Sequence, residues 1–367
     1  MSVRILLAGP IVLGLMLGGA GQSYGAQMGL PGSLGESAKN EFIKGNYREA
    51  ERQYRDAWKE AEAKGASATV RASILAGLAQ TLVTQGRFAE SEGLSNRALE
   101  ITKQEVVDPR VRPTVLSNLA ILYTDTYRYD RAQSVLKEAL TLGTKPFGPE
   151  SAFVAGTLKN LGIVQARAGQ TKLAENTLKK ALAIAEKQPE LLQQHFAAIL
   201  TSLSVTYALQ KEWDKAESLL IRSVEIIERS AGPDHPGIAD ALNNLGEVYA
   251  LQNKFEQAEA AFRQALSIRQ KVFGPDNISV AIASSGLATV LTAQKKYLEA
   301  NALFLSSLPI QERVHGPMAP EYAATLEKFA ALLRKMEDSP QAETVETQAQ
   351  NIRFALKYTV SAEQLKK

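Results

Sequence analysis

The 367-residue sequence has no cysteine, three histidines and two tryptophans, and its charges nearly cancel. Without cysteine there is no disulfide and no thiolate metal site, so the folded chain rests on its packed core. The histidines, His195, His235 and His315, stand in separate segments and do not form the converging ligand set of a metal centre. A formal charge of only +3, from 42 basic and 39 acidic residues with no long run of one sign, argues against a phosphate-tracking surface and so against nucleic acid as a partner. No His-Glu-x-x-His pair and no Gly-x-x-x-x-Gly-Lys-Ser/Thr loop is present. Gly169-Gln170-Thr171-Lys172 has only a superficial likeness to a phosphate loop and reads as a tight turn. The expectation is of a protein with no catalytic residues, no cofactor and no metal.

What is present begins with an export segment. Arg4 gives residues 1–25 a positive start, Ile5 to Leu17 an apolar centre, and Ser23-Tyr24-Gly25 small residues at the −3 and −1 positions of a cleavage site. Gly9, Pro10, Gly14, Gly18 and Gly19 weaken a stable membrane span, and the apolar centre is short for one. Cleavage after Gly25 and delivery to the periplasm or cell envelope are expected, and the membrane is a partner only if the segment stays uncleaved. In that case the chain reads as a tethered assembly factor of a secretion or polysaccharide-export complex. Residues 26–33 contain Gly and Pro and read as a flexible leader.

Residues 34–358 repeat one pattern. Leu242, Leu245, Gly246 and Tyr249 fall on one stripe of a helix, and after a break at Gln252 to Lys254 a second stripe runs through Phe255, Ala258, Phe262, Ala265 and Leu266. The register of Phe255 is occupied by Tyr47, Phe88, Tyr129, Thr171, Trp213, Phe255, Tyr297 and Ser339, at intervals of 41, 41 and then 42 throughout. Trp213 therefore reads as a core aromatic. Three residues on, the register holds Ala50, Ser91, Ala132, Ala174, Ala216, Ala258, Ala300 and Ala342. Ten on, it holds Ala57, Ala98, Ala139, Ala181, Ser223, Ala265, Ser307 and Ala349. Two positions that are small in every copy predict close helix crossings. An all-α array of about eight helix-turn-helix units follows, with units starting near 34, 69, 111, 151, 191, 235, 277 and 319, and with 359–367 as a tail. The fourth unit departs from the pattern at Gln165 and Thr171, which reads either as local variation in a tolerant core or as a slightly softer joint in the middle of the array.

These motifs resemble the tetratricopeptide repeat, in the 42-residue form of kinesin light chains. The linker Gly232-Pro233-Asp234-His235-Pro236 and the first-helix run Leu242-Asn243-Asn244-Leu245 carry the likeness, with weaker linkers at Gly148-Pro149, Gly274-Pro275 and Gly316-Pro317. The resemblance implies a right-handed superhelix, an α-solenoid, whose first helices line a concave groove for an extended peptide or a protein partner. Carried over by register, the groove residues are Asn118, Asn160, Ser202 and Asn244, with Lys159, Asn243, Arg167 and Glu247 beside them. An amide side chain can donate to and accept from a peptide backbone at once. Lys159, Asn160 and Arg167 are similar to part of the carboxylate clamp of some relatives, but Ile163 stands where that clamp has a second Asn.

The first test is of export: mass spectrometry of the secreted-fraction protein is expected to find Ala26 as the N-terminal residue. A chain that retains Met1 to Gly25 would contradict the cleavage.

Overall fold

The computed structural model describes residues 35–43, 46–187 and 193–364. The export segment 1–25, the leader 26–33 and residues 365–367 of the tail lie outside the described residues. Among the described residues there are sixteen helices and no strand. In chain order they are α1 Glu36–Ile43, α2 Tyr47–Ala63, α3 Ala68–Thr84, α4 Phe88–Gln104, α5 Val111–Asp125, α6 Tyr129–Phe147, α7 Ala152–Arg167 and α8 Thr171–Glu186. The rest are α9 Gln193–Leu209, α10 Trp213–Ala231, α11 Pro236–Leu251, α12 Phe255–Phe273, α13 Ile278–Ala293, α14 Tyr297–His315, α15 Pro320–Lys335 and α16 Ser339–Gln364. The chain divides into two compact units, with α1–α9 in the one that ends at Gln210 and α10–α16 in the one that begins at Lys211.

Odd-numbered helices are the first helices of the repeats and even-numbered ones the second. The two kinds differ in burial: α13 buries twelve of its sixteen residues, α12 only six of nineteen. First helices are thus enclosed on most sides, and second helices are amphipathic, with one face in water. Several first helices start on a side-chain cap. Ser67 accepts from the Val70 amide, Ser151 from Val154 and Asn277 from Ser279. His235 does the same for Gly237 through Nδ1 at 3.1 Å, which is the local reason for a histidine in that linker.

The small positions behave as the pattern requires. Ala50, Ser91, Ala132, Ala174, Ala216, Ala258, Ala300 and Ala342 are all buried, as are Ala57, Ala98, Ala139, Ala181, Ser223, Ala265, Ser307 and Ala349. Ser91 uses its place to donate to the Ala79 carbonyl at 2.8 Å, which ties α4 to α3. The aromatic register is different from its expectation: Tyr47, Phe88, Tyr129, Trp213, Phe255 and Tyr297 are half-buried, so Trp213 is not a core residue. The deep core lies seven residues later, at Tyr54, Leu136, Leu178, Leu220, Phe262 and Phe304. The first residue of a second helix sits at the end of the crossing, whereas two turns further in the chain lies between helices.

The turn within the second to eighth repeats is a second constant. Gly86, Tyr127, Gly169, Lys211, Asn253, Lys295 and Glu337, each two residues before its second helix, all take positive φ between 59° and 78°. Asn253 shows the bonding: its amide reaches the Ala250 carbonyl, and the next amide, of Lys254, reaches Tyr249. This closes the first helix with a left-handed residue. Gly169 is accordingly a turn residue, as expected.

Ion pairs between neighbouring repeats follow the same register. Arg87 meets Glu51 at 2.7 Å and Arg128 meets Glu92 at 2.8 Å in one unit; Lys254 meets Glu217 at 2.9 Å and Lys296 meets Glu259 at 2.8 Å in the other. Each is worth at most about 1 kcal/mol. In the fourth repeat Gln170 and Gln133 hold these positions, so no ion pair forms there.

Phe262 is pressed by glycines on two first helices. A Cβ on Gly246 of α11 would lie 2.8 Å from its ring, and one on Gly286 of α13 would lie 2.5 Å from it. Gly286→Ala is therefore expected to destabilise the C-terminal unit by about 1–2 kcal/mol net of alanine's helix preference. Gly93→Ala in α4, where a Cβ meets nothing within 4 Å, is expected to stabilise by about 0.5–1 kcal/mol. Denaturant midpoints of the two variants measure the contrast.

Candidate functional site

In the C-terminal unit, α11 presents Asp240, Asn243, Asn244 and Glu247 within two turns. Arg269 of α12, 1% exposed, reaches into this group. Its Nη2 donates to Asp240 Oδ1 at 2.8 Å, and its Nη1 donates to the Ser279 carbonyl of α13 at 3.0 Å and to Asn243 Oδ1 at 3.4 Å. One guanidinium therefore joins three helices. Asn243 is occupied by that join. Asn244, also buried, is not: its Oδ1 is sealed from solvent and has no hydrogen-bond partner. One turn on, Glu247 is half-buried, and burial pushes its carboxyl up to about 7 against the opposing influence of Lys328 and Arg269.

The position equivalent to Arg269 in the next repeat is Gln311, and it does the same work with neutral groups. Gln311 Nε2 donates to Ser285 Oγ at 2.8 Å, and Thr325 Oγ1 donates to Gln311 Oε1 at 2.7 Å, linking α13, α14 and α15. Sequence reading missed both residues. The available signal was three long polar side chains, Arg269, Gln311 and Arg353, in a register that elsewhere holds Ala61, Thr102, Gly143, Ala185 and Ile227.

In the N-terminal unit the expected residues lie on α5, α7 and α9. Asn118 is half-buried. Lys159 and Asn160 are each 4% exposed, and Asn160 Oδ1 has no hydrogen-bond partner. Burial holds the Lys159 ammonium down at about 8, with no carboxylate in ion-pair reach among the described residues. His195 of α9 is its charged-group neighbour; burial first, and the Lys159 charge second, lower the imidazole to about 4. Arg167, two turns from Lys159, pairs with Asp125 of α5 at 3.6 Å and so is not a free cation. Ser202 is buried and donates to the Ala198 carbonyl of its own helix at 2.8 Å. Gln165, the departure in the fourth repeat, is buried with its Oε1 unpartnered.

The expected groove residues thus separate by state. Asn243, Ser202 and Arg167 are spent on internal bonds, while Asn160 and Asn244, equivalent positions in two repeats, keep unspent amide oxygens. On α8, Glu175 pairs with Lys172 at 3.3 Å and with Lys179 at 2.8 Å. Among the described residues no group of acidic or histidine side chains could hold a metal ion. No helix of the described residues is long and apolar enough to cross a membrane.

An all-α array of 42-residue helix pairs with unspent polar groups on its first helices defines a solenoid scaffold suited to protein–protein interaction. The tetratricopeptide repeat family matches residues 111–187, 195–271 and 279–353, more than half of the chain, and a second form of the same repeat matches 71–108. The chain belongs to the tetratricopeptide repeat family. No curated protein matches it. Among solved structures it is similar to the Rap protein complexed with Competence and Sporulation Factor, at 13% identity and a TM-score of 0.61, over 88% of this chain and 98% of that one. It is also similar to BtubC (BKLC) from P. vanneervenii, at 20% identity and a TM-score of 0.50, over 63% of this chain and 90% of that one. A putative kinesin light chain with nearly identical repeats from Podosopora anserina aligns at 20% identity and a TM-score of 0.46, over 57% of this chain and 98% of that one. At these identities the likeness is one of fold.

Lys159 yields a test of the site's electrostatics. A lysine at about 8 when folded and near 10.5 when unfolded binds fewer protons in the native state between those values, so stability rises with pH across that window. Lys159→Met is expected to remove that rise and to stabilise the protein at pH 7, by at most about 3 kcal/mol. Thermal melts of both proteins from pH 7 to pH 10.5 give the comparison.

Proposed function

We propose that the protein is an exported, non-enzymatic scaffold that holds an extended segment of a protein partner against its first helices. The observations that carry this reading are Asn160 in the N-terminal unit and Asn244 in the C-terminal unit, each within its own unit. They occupy equivalent positions, both are buried, and both leave an amide oxygen without a partner. A buried polar group left unsatisfied costs about 1–3 kcal/mol, a cost that a bound peptide backbone would offset by supplying the missing donor. Asn118, half-buried at the same position, belongs to the same row. A complex between a protein of the same fold and Competence and Sporulation Factor supports use of the fold for capture of a ligand.

Absence of catalysis is part of the proposal. Repeats of this family build a generally non-catalytic scaffold. The string Gly21-Gln22-Ser23-Tyr24-Gly25 has the spacing of a nucleophile elbow, but it falls in the segment assigned to export and outside the repeats. Placement in the periplasm or envelope is supported by the sequence of residues 1–25, namely Arg4, the apolar run Ile5 to Leu17 and the small residues before Ala26.

Crosslinking in the native envelope, followed by peptide identification, is expected to recover a protein partner attached near α5, α7 or α11. Asn160→Ala with Asn244→Ala is expected to weaken that capture at least tenfold and to leave helical content unchanged, since neither amide oxygen supports the fold. Undiminished capture by the double variant would end the role given to the asparagines.

A further inference from the structure

The C-terminal unit carries an imbalance that peptide-backbone binding alone does not explain. Asn244 and Glu247 lie three residues apart on α11 and so share one face of the helix. Both present acceptors. Asn244 is 2% exposed and its Oδ1 meets no donor. Glu247 makes no ion pair or hydrogen bond among the described residues, although two cations influence it. Neither cation is in ion-pair contact with it. Arg269 is committed to Asp240, Asn243 and the Ser279 carbonyl. Lys328 stands on α15, two repeats further on, and forms no ion pair with Glu247 within 4 Å.

The adjacent repeat adds no donor at either register; the first one is Lys328, in the Asn244 register two repeats on. At the register of Glu247, the next two first helices hold Thr289 and Ala331, and the Thr289 hydroxyl is already given to the Ser285 carbonyl at 2.8 Å. At the register of Asn244 the next repeat has Gly286, with no side chain at all. In the repeats before, the position of Glu247 holds Gln80, Ile121, Ile163 and Val205, so the carboxylate is peculiar to this repeat. A carboxylate placed once in this row, half-buried and with no cation in ion-pair contact, is destabilising unless something compensates it.

We propose that Asn244 and Glu247 receive a lysine or arginine side chain of the bound protein segment. The guest cation lies against the half-buried carboxylate, and a turn of the Asn244 side chain lets it give one N–H to Oδ1, so that both orphaned acceptors are satisfied by one group. This inference rests on the segment-binding reading above and adds to it a required basic residue. Charge-assisted bonds of this kind are short and selective, and they distinguish a segment with a basic residue at one place from a segment without it.

The test uses the full chain and an array of random-sequence decapeptides with acetylated N-termini and amidated C-termini, which removes terminal amines as an alternative cation. The wild-type protein is expected to select peptides with Lys or Arg at one preferred place. Glu247→Gln, isosteric and uncharged, is expected to abolish that preference, and Glu247→Lys to replace it with Asp or Glu. For a selected peptide, exchange of its arginine for citrulline is expected to weaken binding roughly ten- to hundredfold to the wild type and less than twofold to Glu247→Gln. Lys328→Met, which removes a like charge, is expected to strengthen binding of the same peptide. Circular dichroism confirms that each variant is folded. Selection of peptides without a basic preference, or a preference that survives Glu247→Gln, overturns this inference and leaves segment binding in place. If the wild-type chain selects no peptide above background, segment binding and this inference fall together.

Discussion

The close approach of two helices at a residue with almost no side chain is the constraint on which the rest of the molecule depends. At Ala258 the second helix lies so near its neighbours that the alanine has no accessible surface, and the same is true of Ala50, Ala132, Ala174, Ala216, Ala300 and Ala342. A larger residue would force the helices apart and pull Phe262 or its counterpart out of the space between first helices. The glycines of α11 and α13 make sense in this light, because they are the surface on which the Phe262 ring rests. Burial at the crossing fixes the distance between helices, and the ring then fixes how far the next repeat can approach.

Polar groups act on top of that apolar frame, and they do so in two ways. Outside, the ladder of Arg87–Glu51, Arg128–Glu92, Lys254–Glu217 and Lys296–Glu259 adds small, salt-sensitive contributions that repeat with the array. Inside, Arg269 and Gln311 stitch a second helix to its own and the next first helix, and their bonds are buried. α7 is the exception, since Lys159, Asn160 and Gln165 are all enclosed there without full satisfaction. Its repeat also lacks the ladder pair. These are local costs, and they fall on the segment whose sequence departs most from its fellows.

Much of the architecture could be read from spacing alone, because a position that is small in eight successive copies has one physical explanation. The depth of the core was less legible. Phe255 and Trp213 stand out in the sequence as the aromatic mark of each repeat, yet the enclosed side chains are those at Phe262 and Phe304. Periodicity identifies a stripe and not which end of it is deepest. The site was legible only in part for a similar reason. Register picks out Asn243 and Asn244 equally, and only the arrival of Arg269 from another helix separates the spent amide from the unspent one. The status of Glu247 depends likewise on what does not reach it, which no spacing rule encodes.

The turn inside each repeat has one further consequence. Tyr127, Lys211, Asn253, Lys295 and Glu337 share a left-handed backbone conformation that glycine would adopt more easily, and all five are exposed. An aromatic, a cation, an amide and an anion all serve in one place, so the helices on either side impose the bend and the side chain has no say in it. Each repeat therefore carries an outward position where evolution can change chemistry at little structural risk. Over time, such positions let a uniform array acquire an individual surface.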